Sequence, residues 1–136
     1  MNAIREAVEA DIDALLHLEA LAFDSDRLSR RSFKRWLRHP GCVFLVSELG
    51  SSLGGYILVI LRRGTRLARL YSLAVDPACR GQGIAVGLMA LAERKAREAG
   101  ALYMRLEVAR NNESAIGLYR NSGYLQFGLY RDYYED

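Results

Sequence analysis

The sequence predicts an α/β domain of mixed character: a mostly antiparallel central sheet, one β–α–β unit, and helices on both faces. Three observations carry that expectation. β-rich runs at residues 42–48, 53–61 and 66–75 are separated only by short turns, so they are antiparallel neighbours. A long helical pattern at residues 83–99 then leads to another alternating run at 102–108, the spacing of a parallel crossover. A chain of 136 residues, 51% hydrophobic and 26% charged, has material for one core and is too short for two domains.

Residues 3–8 read as a first strand. Asp11 stands where it would N-cap a helix that buries Ile12, Leu15, Leu16 and Ala22. The polar break Asp24-Ser25-Asp26 precedes a second helix at 29–37, and His39-Pro40-Gly41 stops it. Gly50-Ser51-Ser52 joins the second and third strands, and Arg62-Arg63-Gly64-Thr65 turns the chain into the fourth. Asp76-Pro77 ends that strand, because proline cannot extend a ladder and restricts the residue before it. The long helix carries Ile84, Leu88, Leu91 and Ala92 as its apolar stripe, pairs Glu93 with Arg97 and Arg94 with Glu98 on its wet face, and closes at Gly100. Asn112 or its neighbour would cap a short helix running to about residue 122, and residues 125–130 would begin a last strand.

The bulk chemistry excludes several classes. A net charge of +3 suits an anionic ligand and is too mild to imply nucleic acid. Much of the positive charge lies in Arg27, Arg30, Arg31, Lys34, Arg35 and Arg38. These read either as a phosphate-binding patch or, the favoured reading, as the solvated face of a helix packed through Phe33, Trp36 and Leu37. Cys42 and Cys79 are the only cysteines, and neither a signal peptide nor a membrane-length apolar run is visible. The expectation is a cytoplasmic protein with reduced thiols and no membrane partner. His17 and His39 lack the spacing and company of metal ligands, so no metal is expected.

The strongest local pattern is Leu73-Ala74-Val75-Asp76-Pro77-Ala78-Cys79-Arg80-Gly81-Gln82-Gly83-Ile84-Ala85. A buried strand enters a glycine-bearing loop, and a helix begins there. Glycines let backbone N–H groups turn inward, the helix N-terminus adds positive potential, and Arg80 adds a full charge. That combination suits a pyrophosphate. A Walker loop would need a lysine after the glycines. A dinucleotide fingerprint would need a third glycine where Val86 stands.

The stretch Arg80-Gly81-Gln82-Gly83-Ile84-Ala85 resembles the pyrophosphate loop Gln/Arg-x-x-Gly-x-Gly/Ala of the GCN5-related N-acetyltransferase (GNAT) superfamily. A second stretch follows: Leu106-Glu107-Val108 and then Asn112, Ala115, Ile116, Leu118, Tyr119, Gly123 and Tyr124. With Tyr130-Arg131-Asp132-Tyr133-Tyr134, it resembles the branch that includes bacterial ribosomal-protein alanine N-acetyltransferases. The resemblance spans nearly the whole chain and implies a GNAT-type fold, with acetyl-CoA as co-substrate and an amine as acceptor.

The chemistry of amine acetylation accounts for the residue types. An alkylammonium with a pKa near ~10 must lose a proton before it attacks a thioester. By the resemblance, Glu107 accepts that proton, directly or through water; an exposed carboxylate paired with an arginine is the bland alternative. Tyr119 would protonate the departing thiolate, a group of roughly phenolic basicity, although its spacing with Ala115 and Leu118 also suits a core aromatic. The resemblance further implies main-chain contacts to the cofactor from Leu73, Ala74 and Val75, a side-chain contact from Asn112 (equally a helix cap), and phosphate contacts from the 80–85 loop. Phe23, Tyr130, Tyr133 and Tyr134 are candidates for the amine pocket, and ordinary edge-strand aromatics are the alternative.

The family normally continues into one more strand than this sequence supplies. That motivates three expectations: a truncated sequence, a homodimer in which a partner fills the seam, or an open edge. The acceptor is open too. It is expected to be a protein or peptide N-terminal α-amine, with a lysine or small-molecule amine as the alternative. A non-catalytic acyl-CoA-binding module would need neither Glu107 nor Tyr119.

Overall fold

The computed structural model describes residues 3–62, 64–106 and 117–120. The chain divides into two compact units, Met1–Arg105 and Leu106–Asp136. In the second unit, residues 117–120 are helical. The first holds a five-stranded sheet in the order β1 (Ala3–Glu6), β2 (Cys42–Leu49), β3 (Ser52–Leu61), β4 (Leu67–Val75) and β5 (Tyr103–Arg105). The first four strands are antiparallel, and β5 lies parallel to β4, as the crossover spacing predicts.

Helices α1 (Ile12–Ala22) and α2 (Arg30–Leu37) cover one face. Phe33 of α2 meets Phe44 of β2 and Tyr56 of β3 with ring centroids 6.0 and 5.7 Å away, and Ile12, Leu15, Leu18, Val46, Leu58 and Ala74 complete that core. α3 (Ile84–Glu98) covers the other face. A side chain at Gly55 would run into Ile84 and Leu88, so the face that Gly55 shares with Ile57 and Val59 is the α3 face. The basic residues of α2 are exposed while Phe33 is fully buried, which is the solvated-face arrangement. Arg30 pairs with Asp13 at 2.6 Å and Arg38 with Glu9 at 3.2 Å.

Several local expectations are corrected. Asp11 does not cap α1. It sits in helical geometry at the end of a 3₁₀ turn, Glu9–Asp11, and its carboxylate faces backward. There it accepts two bonds from Arg5 and one from the Val8 N–H, all at 2.8 Å. A charged guanidinium outcompetes a helix amide for that carboxylate, and the turn ends β1 at Glu6 rather than residue 8. α1 buries Leu18 and Glu19 beside Ile12 and Leu15, leaving Leu16 and Ala22 half-buried. On α3, Met89 and Ala96 are buried where Leu91 was expected, and Arg94 closes no ion pair with Glu98. Exposed pairs of this kind gain little, so an open pair is unremarkable.

Candidate functional site

β4 runs into the glycine loop and then α3. Asp76 Oδ1 accepts the Ala78 N–H at 2.9 Å, and Pro77 opens a 3₁₀ turn that carries the chain to an exposed Arg80. Gly81 and Gly83 then take φ of 82° and 76°, a region that L side chains avoid. A Cβ at either position would point into open space. Gly83 occupies the N-cap position of α3 without a capping side chain, and no acidic residue lies in the first turn. The first intrahelical bond runs from Gly87 N–H to Gly83 O at 2.9 Å. Among the described residues, nothing accepts the N–H groups of Ile84, Ala85 and Val86. A fifteen-residue helix thus presents its positive end and three unfilled donors beside a free-standing arginine.

The approach to this loop is set by a bulge. Leu58 pairs with Ser72 and Val59 with Leu70, so Tyr71 is an extra residue in β4. Beyond it, the Asp76 N–H donates to Gly54 O at 2.9 Å. By strand alternation, Ala74 also turns its N–H toward β3, and Leu73 and Val75 turn theirs to the opposite edge. β5 pairs with β4 only from Leu67 to Arg69, and no described residue accepts the Leu73 or Val75 N–H. Two main-chain donors therefore line the strand that leads to the glycine loop.

Close packing holds α3 against that strand. A Cβ at Gly55 would lie 2.8 Å from Ala74 O and 3.1 Å from Ile84 Cγ2; one at Gly54 would lie 2.7 Å from Leu49 Cδ1 and 2.9 Å from Ile84 Cδ1. The sequence reading passed over this pair because glycines inside a β-rich run carry no periodic signal. Their adjacency was the available clue. It also passed over Glu19, which is buried at 1% exposure on the core side of α1.

The remaining expected residues divide cleanly. Leu73, Ala74, Val75, Arg80, Gly81, Gln82, Gly83, Ile84 and Ala85 form one continuous run of strand, loop and helix. Phe23 is the half-buried C-cap of α1 and packs against the core beneath α1 and α2. Tyr119 lies in the described helical turn of the second unit, and burial pushes its phenol up to about 12. It is a weaker acid than the match with a thiolate had suggested, and it stays fully protonated at neutral pH. Glu107, Asn112, Tyr130, Tyr133 and Tyr134 lie outside the described residues. Among the described residues, no group of three or more His, Cys, Asp and Glu side chains is arranged to hold a metal ion, and no helix is long and apolar enough to cross a membrane.

The donor set fits a phosphorylated, thioester-bearing substrate: inward-turning amides and a cation for a pyrophosphate, then strand-edge N–H groups for carbonyl oxygens. A mixed sheet carrying that arrangement defines a domain with the donors to bind a phosphorylated ligand where β4 meets α3. The profile of the Acetyltransferase (GNAT) family matches residues 10–124. Over 134 residues the chain is 30% identical to a Bacillus subtilis protein provisionally named a ribosomal protein bS18-alanine N-acetyltransferase, covering 98% of this chain and 87% of that one. The ribosomal-protein-S18-alanine N-acetyltransferase of Escherichia coli shares the fold with a TM-score of 0.84 at 23% identity, over 94% of this chain and 80% of that one. The PaiA N-acetyltransferase of Thermoplasma acidophilum, solved with coenzyme A, does so at 0.79 and 20% identity, over 95% and 92%. The chain belongs to the GNAT family and is an N-acetyltransferase.

Proposed function

We propose that residues 1–136 act as one acetyltransferase domain that moves acetyl from acetyl-CoA to the α-amine of a protein or peptide N-terminus, with N-terminal alanine as the first acceptor to test. The observation that carries the coenzyme half is the continuous run from the Leu73 and Val75 N–H groups, which no described residue accepts, to the uncapped start of α3. The likeness to the Bacillus subtilis protein supports the acceptor half.

The bound coenzyme supplies an activated acyl carbon. Arg80 and the amides of residues 81–86 would hold its pyrophosphate, and the helix end would favour that negative charge. The Leu73 and Val75 N–H groups would receive carbonyl oxygens along β4, where donors fixed in a strand need no rearrangement as charge develops. Glu107 accepts the ammonium proton, and Asn112 steadies the pantetheine arm. Tyr119 gives its proton to the departing sulfur. Because burial holds that phenol at about 12, the proton moves only as negative charge builds on sulfur. Phe23, Tyr130, Tyr133 and Tyr134 flank the incoming amine.

The test is thiol release from acetyl-CoA with a panel of N-terminal peptides, lysine peptides and small amines. The native chain should turn over a peptide beginning with alanine. Tyr119→Phe should lower kcat by about 100-fold, and Glu107→Gln should abolish the neutral-pH plateau. Turnover confined to lysine or small amines would overturn the α-amine reading. Coenzyme binding without any turnover would overturn the catalytic assignments.

A further inference from the structure

One buried acidic side chain lies outside the machinery described so far. Glu19 of α1 is 1% exposed, and no cation pairs with it among the described residues. Its carboxylate is satisfied by hydrogen bonds alone. The Leu28 N–H donates to Oε1 at 2.5 Å, and the Tyr56 hydroxyl donates to Oε2 at 2.5 Å. The Tyr56 oxygen lies 2.7 Å from Ser72 Oγ. Since Tyr56 spends its only proton on Glu19, Ser72 must donate to Tyr56. Burial first, and then the adjoining carboxylate, hold the Tyr56 phenol well above its ordinary range, so that proton stays in place. The direction of the whole chain is therefore fixed, from Ser72 through Tyr56 to Glu19, with Leu28 donating from the other side.

Two features give this network a purpose beyond the core. Both ends of the α1–α2 connection return to one residue. The Phe23 N–H donates to the Glu19 main-chain oxygen at 3.0 Å, and the Leu28 N–H to the Glu19 carboxylate. Between those anchors, residues 24–27 are exposed, Asp26 takes a φ of 57°, and Arg27 Nε returns to the Phe23 oxygen at 2.7 Å. The opposite end of the network is Ser72, next to Leu73 on β4. A carboxyl group buried in a core is a poor means of stabilisation, because apolar residues of similar volume do as well or better.

We propose that Glu19 is a positioning residue for amine capture: its carboxylate fixes the loop at residues 23–28 in register with β4, so that the acceptor is held against the acetyl-bearing edge. This rests on the reading above that Phe23 flanks the amine. Glu19 touches neither substrate. It acts through Leu28 on one side and through Tyr56 and Ser72 on the other, and its loss raises the amine KM while leaving acetyl-CoA affinity alone.

The test uses the full chain with Glu19→Leu, Glu19→Gln and Tyr56→Phe. It reads hydrogen exchange at the Leu28 amide and the two KM values, with an alanine-starting peptide or whichever amine the native chain turns over. Glu19→Leu removes the acceptor for Leu28 and keeps an apolar filling. It should speed Leu28 exchange at least about tenfold and raise the amine KM about tenfold, with the acetyl-CoA KM within about twofold of native. Glu19→Gln keeps an oxygen for Leu28 and should restore both readouts to within about threefold. Should Glu19→Leu fail to fold, Tyr56→Phe removes a single hydroxyl and should move both readouts in the same direction by about threefold. Faster Leu28 exchange with an unchanged amine KM would overturn the proposal, as would a Leu28 amide that stays protected in both Glu19→Leu and Tyr56→Phe. A native chain inactive on α-amines but active on another amine would fail the α-amine reading alone.

Discussion

The glycines of β3 and those ahead of α3 differ in what surrounds the hydrogen that replaces a side chain. At Gly54 and Gly55 that hydrogen faces Ile84, Leu49 and the Ala74 carbonyl, all close enough to exclude a methyl group. At Gly81 and Gly83 it faces open space, and the backbone takes left-handed φ. The first pair exists for contact: it lets the start of α3 settle onto the sheet. The second exists for conformation: it bends amides toward a region the protein leaves open. The same residue type thus serves packing on one side of the helix start and backbone conformation on the other, and only the surroundings tell them apart.

Substitution separates the two roles. The largest stability effect should come from Gly55→Ala, whose methyl group meets a backbone oxygen that cannot swing aside; a loss of about 2–3 kcal/mol by urea unfolding is expected. A neutral effect would mean that β4 yields freely and that the contact does not hold α3. Gly83→Ala should lose less stability, about 1–2 kcal/mol, because the strain lies in one exposed backbone torsion. Its signature should instead be an acetyl-CoA KM raised about tenfold, since the amides re-aim. Arg80→Gln sharpens the contrast further. Its stability should match native, while the acetyl-CoA KM rises about fivefold and loses part of its salt dependence. A KM for Arg80→Gln equal to native would remove the arginine from the phosphate site.

The smallest effect should come from Asp11, remote from both pairs. Its carboxyl is held below the usual carboxylate range chiefly by hydrogen bonds from Arg5. A depressed folded-state pKa adds stability that is fully present above the unfolded carboxylate value near ~4 and is lost as pH falls through the folded value. The ion pair is partly open to water, so the contribution is only about 1 kcal/mol. Asp11→Asn should flatten the acid limb of stability measured between about pH 5 and 2, and both glycine variants should keep the native slope.

The order of the described strands and helices in the first unit was legible because each rests on local signals: the β-rich runs in residues 42–61, the Asp76-Pro77 stop, and the stripe and closing Gly100 of the long helix. The glycine turn between β4 and α3 was legible for the same reason, being contiguous. What escaped depends on partners distant in sequence. Glu19 looks like any solvent-facing glutamate until Tyr56, thirty-seven residues away, reaches it. Asp11 reads as a cap because its competitor, Arg5, belongs to the preceding strand. Gly54 and Gly55 declare themselves only when α3 arrives.

The extra residue at Tyr71 has one more consequence. Leu70 and Ser72 have the same parity, yet Leu70 lies opposite Val59 on the α3 face and Ser72 lies opposite Leu58 on the α1 face. One inserted amino acid is taken up at the bulge, and the pairing on either side keeps its facing: Ala68 and Leu70 face one layer, Ser72 and Ala74 the other. A lineage could lose Tyr71 and still keep Leu70 on the α3 face and Ser72 on the α1 face, because the bulge absorbs the extra residue without changing the facing of its neighbours. At this one position the strand's length is thereby freer to change in inheritance than the facing of its side chains.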